Sequence, residues 1–276
     1  MTARGVVLGA LMLLLVACGA GGPAPGTTSG TATPRPPAQG DWRLVFHDDF
    51  DGSRLDKNRW TTCYDWNEDG CTISTNHELE WYQPGQVSVS GGKVSLDAER
   101  RTIRGSDGKD YPWVSGMIST GRDNWYAQPR KTFTYGYFEA AIRIPSQGGM
   151  SPEFWMMPAS RYTPPEIDIV EFLGTTRTAS MFVHWRNAEG QERKQKGTFT
   201  SDGFPDRYHV FGLLWEKDRL VWYVDGIERF RVSEPERIPH EPMEVILNLA
   251  VGLPYTPPPG TDSARMLVDW VRVWQR

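Results

Sequence analysis

The chain has 276 residues, long enough for one large domain or two small ones. Its 39% apolar content allows a sizeable core, and a net charge of −4 with no basic stripe excludes the electrostatic footprint of a nucleic-acid binder. The aromatic count of 12 Trp, 10 Tyr and 11 Phe stands out; such flat rings suit a β-sheet core or a cleft that stacks on sugar rings.

The first 40 residues do not read as fold. Arg4 supplies a short positive start, and Val6 to Val16 form an apolar run. That run is too short for a membrane-spanning helix, which needs about 20 residues, and fits the apolar middle of a secretory signal. It ends in Leu15-Val16-Ala17-Cys18, which resembles a bacterial lipobox. Residues 1–17 are therefore expected to be a lipoprotein signal peptide and Cys18 the lipidated N-terminus. The expected location is exported, as a cell-surface lipoprotein or, without lipid, a secreted protein. The only membrane contact would be the acyl anchor at Cys18. Sixteen of the 22 residues from 19 to 40 are Gly, Pro, Ser or Thr. Such a segment buries too little surface to offset its ordering entropy, so 18–40 reads as a tether. Cys63 and Cys71 remain as an even pair in an oxidising compartment, and a disulfide is expected. Metal binding by the two is the weaker alternative.

From residue 41 to 276 the pattern is all β. Alternation with a period of two recurs and no stretch of ten residues carries a helical period. In 131–144 one face carries Phe133, Tyr135, Tyr137, Glu139, Ala141 and Arg143; being aromatic and polar, it suits the floor of a wet cleft. Residues 220–232 read as a hairpin with Asp225-Gly226 at its turn. Residues 243–252 and 266–274 read as two further strands. A β-sandwich or jelly roll of the concanavalin A-like kind is expected.

Residues 164–174 read PPEIDIVEFLG. On a strand Glu166 and Asp168 share one face and Ile167 and Ile169 the other. Strict alternation would send Glu171 into the core, where a carboxylate is costly. A β-bulge near Ile169-Val170 removes the conflict and returns Glu171 to the acidic face. Retaining glycosidases need two carboxyls, one as nucleophile and one as acid/base; a solvated edge or a calcium site is the alternative reading of three clustered acids.

The run Glu-Ile-Asp-Ile-Val-Glu resembles the bulged signature of glycoside hydrolase family 16, in its laminarinase-like β-glucanase branch. HDDFDGSRLDKNRW (47–60), NHELEWYQPGQVSVSGGKVSLDAE (76–99), YGYFEAAIRIPSQGGMSPEFWMMP (135–158), and then YVDG, ILNLAVG and VDWVRVWQ resemble the family's other segments in order. The resemblance implies a jelly roll whose concave sheet carries the substrate groove. It implies Glu166 as nucleophile, Glu171 as acid/base and Asp168 as the assisting acid. Trp155 matches a cleft Trp, His184 a His near the catalytic centre, and Asn76 a residue bonding sugar hydroxyls. Trp81, Trp125 and Trp185 are further candidate sugar platforms. A structural calcium is implied at Asp269, with Asp49 as a second ligand, and no cofactor for catalysis.

The chain departs from the family near the groove. The usual Trp-Pro-Ala-Phe-Trp run is Ser151-Pro152-Glu153-Phe154-Trp155, so a Trp is lost and an acid gained. The Gly-rich, Trp-bearing loop usual after the Leu-Ala-Val-Gly strand is Leu253-Pro254-Tyr255 here. The expected function is a monomeric, retaining, endo-acting hydrolase of a β-linked polysaccharide, β-1,3- or β-1,3/1,4-glucan. The rivals are an envelope-glycan transglycosylase and a non-catalytic lectin-like lipoprotein.

Overall fold

A computed structural model of the chain describes residues 36, 37, 39–64 and 70–276. The expected signal peptide 1–17, the Cys18 lipidation site and the tether, apart from residues 36, 37, 39 and 40, lie outside them. Among the described residues the helical pieces are three short 3-10 turns, and no helix is long and apolar enough to cross a membrane.

The strands in chain order are β1 (Arg43–Asp48), β2 (Glu80–Tyr82), β3 (Val87–Val89), β4 (Val94–Glu99), β5 (Ile103–Arg104), β6 (Asp110–Tyr111), β7 (Trp113–Ser115), β8 (Met117–Ser119) and β9 (Gly136–Arg143), followed by β10 (Met150–Pro158), β11 (Glu166–Glu171), β12 (Thr178–Arg186), β13 (Glu192–Thr200), β14 (His209–Glu216), β15 (Arg219–Val224), β16 (Ile227–Val232), β17 (Met243–Val251) and β18 (Ser263–Gln275). A six-stranded sheet runs β13-β12-β11-β10-β17-β8. A ten-stranded sheet runs β16-β15-β14-β9-β18-β4-β7-β2, with β1 beside β18 and β3 beside β4. This is the expected jelly-roll sandwich. The core lies between the sheets: Phe154, Met156, Ile167, Val183 and Leu247 of the first meet Phe138, Leu213, Trp222 and Val273 of the second in one buried cluster. Asp225 (φ 52°) and Gly226 (φ 75°) are both left-handed at the β15–β16 hairpin, the twist a two-residue turn requires.

The cleft expected on the 133–143 face is elsewhere. β9 sits in the ten-stranded sheet between β14 and β18, and Tyr137 packs with Leu214, Val221 and Trp274 in a satellite cluster on the outer side. Alternation identifies residues that share a face but not the sheet they belong to. It also ends early, because Tyr135 (φ 62°) and Gly136 (φ 134°) break the strand, and Phe133 falls into the main core.

Candidate active site

The six-stranded sheet turns its second face away from the core, and the three acids emerge there. β11 pairs with β10 as Glu153↔Glu171, Phe154↔Val170, Trp155↔Asp168 and Met156↔Ile167. Ile169 is therefore the extra residue of a bulge. Ile169 and Val170 both enter the core at 2% exposure, which is how two successive residues face inward. Glu166, Asp168 and Glu171 are left together on the open side.

Cross-strand registry assembles the rest of this face. Beside Glu166 stands His184, beside Asp168 stands Phe182, and beside Glu171 stands Ser180, all on β12. On the other flank Glu171 is followed by Glu153 and Asn248, and Asp168 by Trp155 and Ile246. A cavity of about 520 Å³ opens here, lined among others by Glu166, Glu171, Glu153, Trp155, Asn76 and Trp125.

His184 Nε2 lies 3.2 Å from Asp168 Oδ2 and 3.8 Å from Glu166 Oε1. Thr163 donates its hydroxyl to Glu166 Oε2 at 3.2 Å. Burial raises the Glu166 carboxyl above its ordinary range, against the pull of His184 and Thr163. Burial, then the Glu166 charge, holds Asp168 well above its own. Burial, then Asp168 and Glu166, does the same to Glu171. His184 is pushed down by burial, so its neutral form is favoured. Carboxyls that cannot all ionise together are what acid and nucleophile roles on one strand require.

Trp155 is 6% exposed and donates its indole N–H to Asn248 Oδ1 at 2.7 Å. Asn76 borders the cavity from a 3-10 turn and donates its amide to Glu78 Oε1 at 3.1 Å. Trp125 is 42% exposed and lies under the Arg161 guanidinium, 3.7 Å from the ring centre.

Two expected platforms are not in the cavity. Trp81 is 5% exposed and packs on Tyr111, ring centres 5.2 Å apart. A Cβ at Gly70 would come within 2.9 Å of its ring, so this is a covered core residue. Trp185 follows His184 on β12 and hence faces the other way, against the main core, with Arg237 over its ring at 5.2 Å. Cys63 and Cys71 form the expected disulfide, with Cα atoms 4.9 Å apart. Asp49 is taken by Arg272 at 2.8 Å, and Asp269 sits at the bulge between Val268 and Trp270. Among the described residues no third carboxylate or imidazole joins them; such side chains converge only at Glu166, Asp168 and His184. Of the two expected calcium ligands, Asp49 thus carries an ion pair.

The sequence pattern does not single out Asn248, Glu78 or Arg161. Asn248 had a visible signal, as a lone amide in an apolar strand. Glu78 is 6% exposed, and burial raises its carboxyl. Arg161 (φ 68°) had none, because its position depends on a turn after β10.

Residues 73–272 match the model for "Glycosyl hydrolases family 16". The chain belongs to this family. Glycosidases of family 16 need no catalytic cofactor. The chain is 32% identical over 250 residues to the endo-1,3-1,4-β-glycanase EglC of Rhizobium meliloti, covering 83% of this chain and 51% of that protein. It is 30% identical to a β-glucanase of Rhodothermus marinus, covering 85% of each. Among solved structures, an endo-β-1,3-glucanase of Pyrococcus furiosus superposes with a TM-score of 0.70 at 30% identity, over 85% of this chain and 94% of the other. The laminarinase catalytic domain of Thermotoga maritima gives 0.73 at 27% identity, over 86% and 99%. The chain thus spans about half the length of EglC and of its companion ExsH.

Proposed function

We propose that the chain is a retaining, endo-acting glycoside hydrolase whose substrate is a β-1,3- or β-1,3/1,4-linked glucan. Glu166 attacks the anomeric carbon while Glu171 gives its proton to the leaving oxygen. Glu171, now a carboxylate, takes a proton from the water that releases the sugar. Asp168 holds the two glutamates apart in protonation, and His184, neutral, borders Glu166. Trp155, Trp125 and Asn76 hold the glycan. The observation that carries the reading is the bulge at Ile169, which leaves all three acids on one open face. The printed activities of the Rhizobium, Rhodothermus and Pyrococcus relatives support the glucan class.

The reading extends to an exported monomer, anchored by lipid at Cys18 or secreted. The Cys63–Cys71 disulfide supports an oxidising compartment. A structural calcium at Asp269 and Asp49 would compete with the Arg272 guanidinium at Asp49.

Reducing-end release on laminarin, lichenan, agarose, carrageenan and xyloglucan tests this. The wild type is expected to shorten laminarin or lichenan. Glu166→Gln and Glu171→Gln are expected to lower the rate by about 10²-fold or more. Undiminished turnover by Glu166→Gln overturns the assignment. Lengthened products would mark a transglycosylase, and binding without turnover a lectin.

A further inference from the structure

Glu153 has no part in the steps above, yet it stands in the middle of the site. Its cross-strand neighbours on the open face are Glu171 on β11 and Asn248 on β17. Side chains so opposed have Cβ atoms about 4.5–5.5 Å apart. Glu153 is 5% exposed and lines the cavity. Its Oε2 accepts the Asn248 amide at 2.7 Å. That amide is fixed in orientation: its oxygen accepts the Trp155 indole N–H, and its nitrogen also donates to the Tyr82 hydroxyl at 3.0 Å. Glu153 Oε1, also buried, has no hydrogen-bond partner. A carboxylate in that state is unfavourable, and the charge of the carboxyl opposite adds to the burial that favours a proton on it.

We propose that Glu153 is a positioning residue that is electrostatically coupled to Glu171 across β10 and β11, keeping Glu171 in its acid form until the glycosidic oxygen arrives. The proposal rests on Glu171 being the acid/base. Two carboxyls this close release their protons in widely separated steps. When Glu171 protonates the leaving oxygen, its O–H bond breaks and the pair becomes doubly anionic. That second charge strengthens Glu171 as the base that removes a proton from water, which restores the starting state. The groups facing the pair are Asp168 and Glu166 from β11, Glu78 and Tyr64 from the segments before β2, Tyr82 from β2 and Lys194 from β13. Burial and the acidic neighbours push both carboxyls upward, and Lys194 opposes this for Glu171.

The test is a carboxyl ¹³C NMR titration of glutamate-labelled full-length protein, beside the pH dependence of kcat/KM on the best glucan. In the wild type, Glu153 and Glu171 are expected to respond to each other's titration in two separated steps; independent steps overturn the pair without any substitution. In Glu153→Gln, the Glu171 step and the alkaline limb of kcat/KM are expected to move down together by about one pH unit or more. Glu153→Asp, which keeps a carboxyl, is expected to restore much of both. A Glu171 step that stays in place in folded Glu153→Gln overturns the proposal. A step that moves while the limb stays overturns instead the role of Glu171 as acid.

Discussion

The indole N–H of Trp222, on β15 of the ten-stranded sheet, donates to the backbone carbonyl of Asp168 in the six-stranded sheet at 2.8 Å. Asp168 is the last residue before the bulge, and pairing with β10 resumes at Val170. Bulges disrupt the ladder and leave backbone groups without their regular partners. Here a ring that is fully buried in the core supplies a donor from the opposite layer. The irregularity that aims Glu171 into the cavity is held by a residue with no access to substrate.

Trp222→Phe keeps an aromatic ring but removes this donor. An orphaned buried carbonyl costs about 1–3 kcal/mol, beyond the smaller loss of ring volume. We expect a lower Tm by thermal denaturation, and a fall in kcat with KM nearly unchanged, because the bulge orients the reacting carboxyls and not the platforms. An unchanged Tm would mean that the bulge is held by the six-stranded sheet alone.

The acidic strand was legible because a bulge is the cheapest answer to Glu171 following Ile169 and Val170. Alternation and a turn dipeptide gave the 220–232 hairpin in the same way. Other features depended on which strand lies beside which. Tyr137 and Glu139 have the composition of a cleft floor, but only the pairing of β9 with β14 and β18 assigns them to the outer sheet. Trp81 and Trp125 have the same side chain. Their opposite fates follow from the glycines Gly70 and Gly105, which close over Trp81 from the loops on either side of it in sequence. Asp49 could not be read as an ion-pair partner, because Arg272 reaches it across 223 positions of chain.

Glu139 makes stability depend on pH. It is 4% exposed, and burial raises its carboxyl to about 7, against the Tyr137 hydroxyl and the Arg272 charge. A carboxyl raised above its unfolded value of about 4.5 is bound to more protons in the folded state than in the unfolded one. Its contribution is therefore present at low pH and is lost as pH rises from about 4.5 through about 7. The loss is at most about 3 kcal/mol from this group. Glu139→Gln mimics the protonated form, so denaturation midpoints should depend less on pH between 5 and 8. Parallel wild-type and variant curves over that range would contradict the assignment.

The Cys63–Cys71 disulfide closes a short loop, with a sequence separation of 8. Tyr64, inside that loop, packs against Tyr82 and Trp155 with ring centres 5.2 and 6.2 Å away. Closing a loop of this length stabilises by about 2–3 kcal/mol in the chain-entropy account. Replacing both cysteines by Ser should lower Tm accordingly and raise KM, as Tyr64 loosens beneath Trp155. A reductant should lower the wild-type Tm toward that of the variant and leave the variant unmoved.

Trp125 offers the cleanest separation of binding from chemistry. Arg161 covers one face of its ring at 3.7 Å and donates to its backbone carbonyl at 2.8 Å, which fixes the indole and leaves the other face to stack on a sugar. A stacking contact of this kind contributes about 0.5–1.5 kcal/mol, so Trp125→Ala should raise KM roughly 3- to 10-fold. The ring is held by Arg161, and contacts made equally in ground and transition states leave kcat alone. Steady-state kinetics on the preferred glucan would check this: a loss confined to kcat would place Trp125 with the reacting groups, and no change in either constant would remove it from the glycan path.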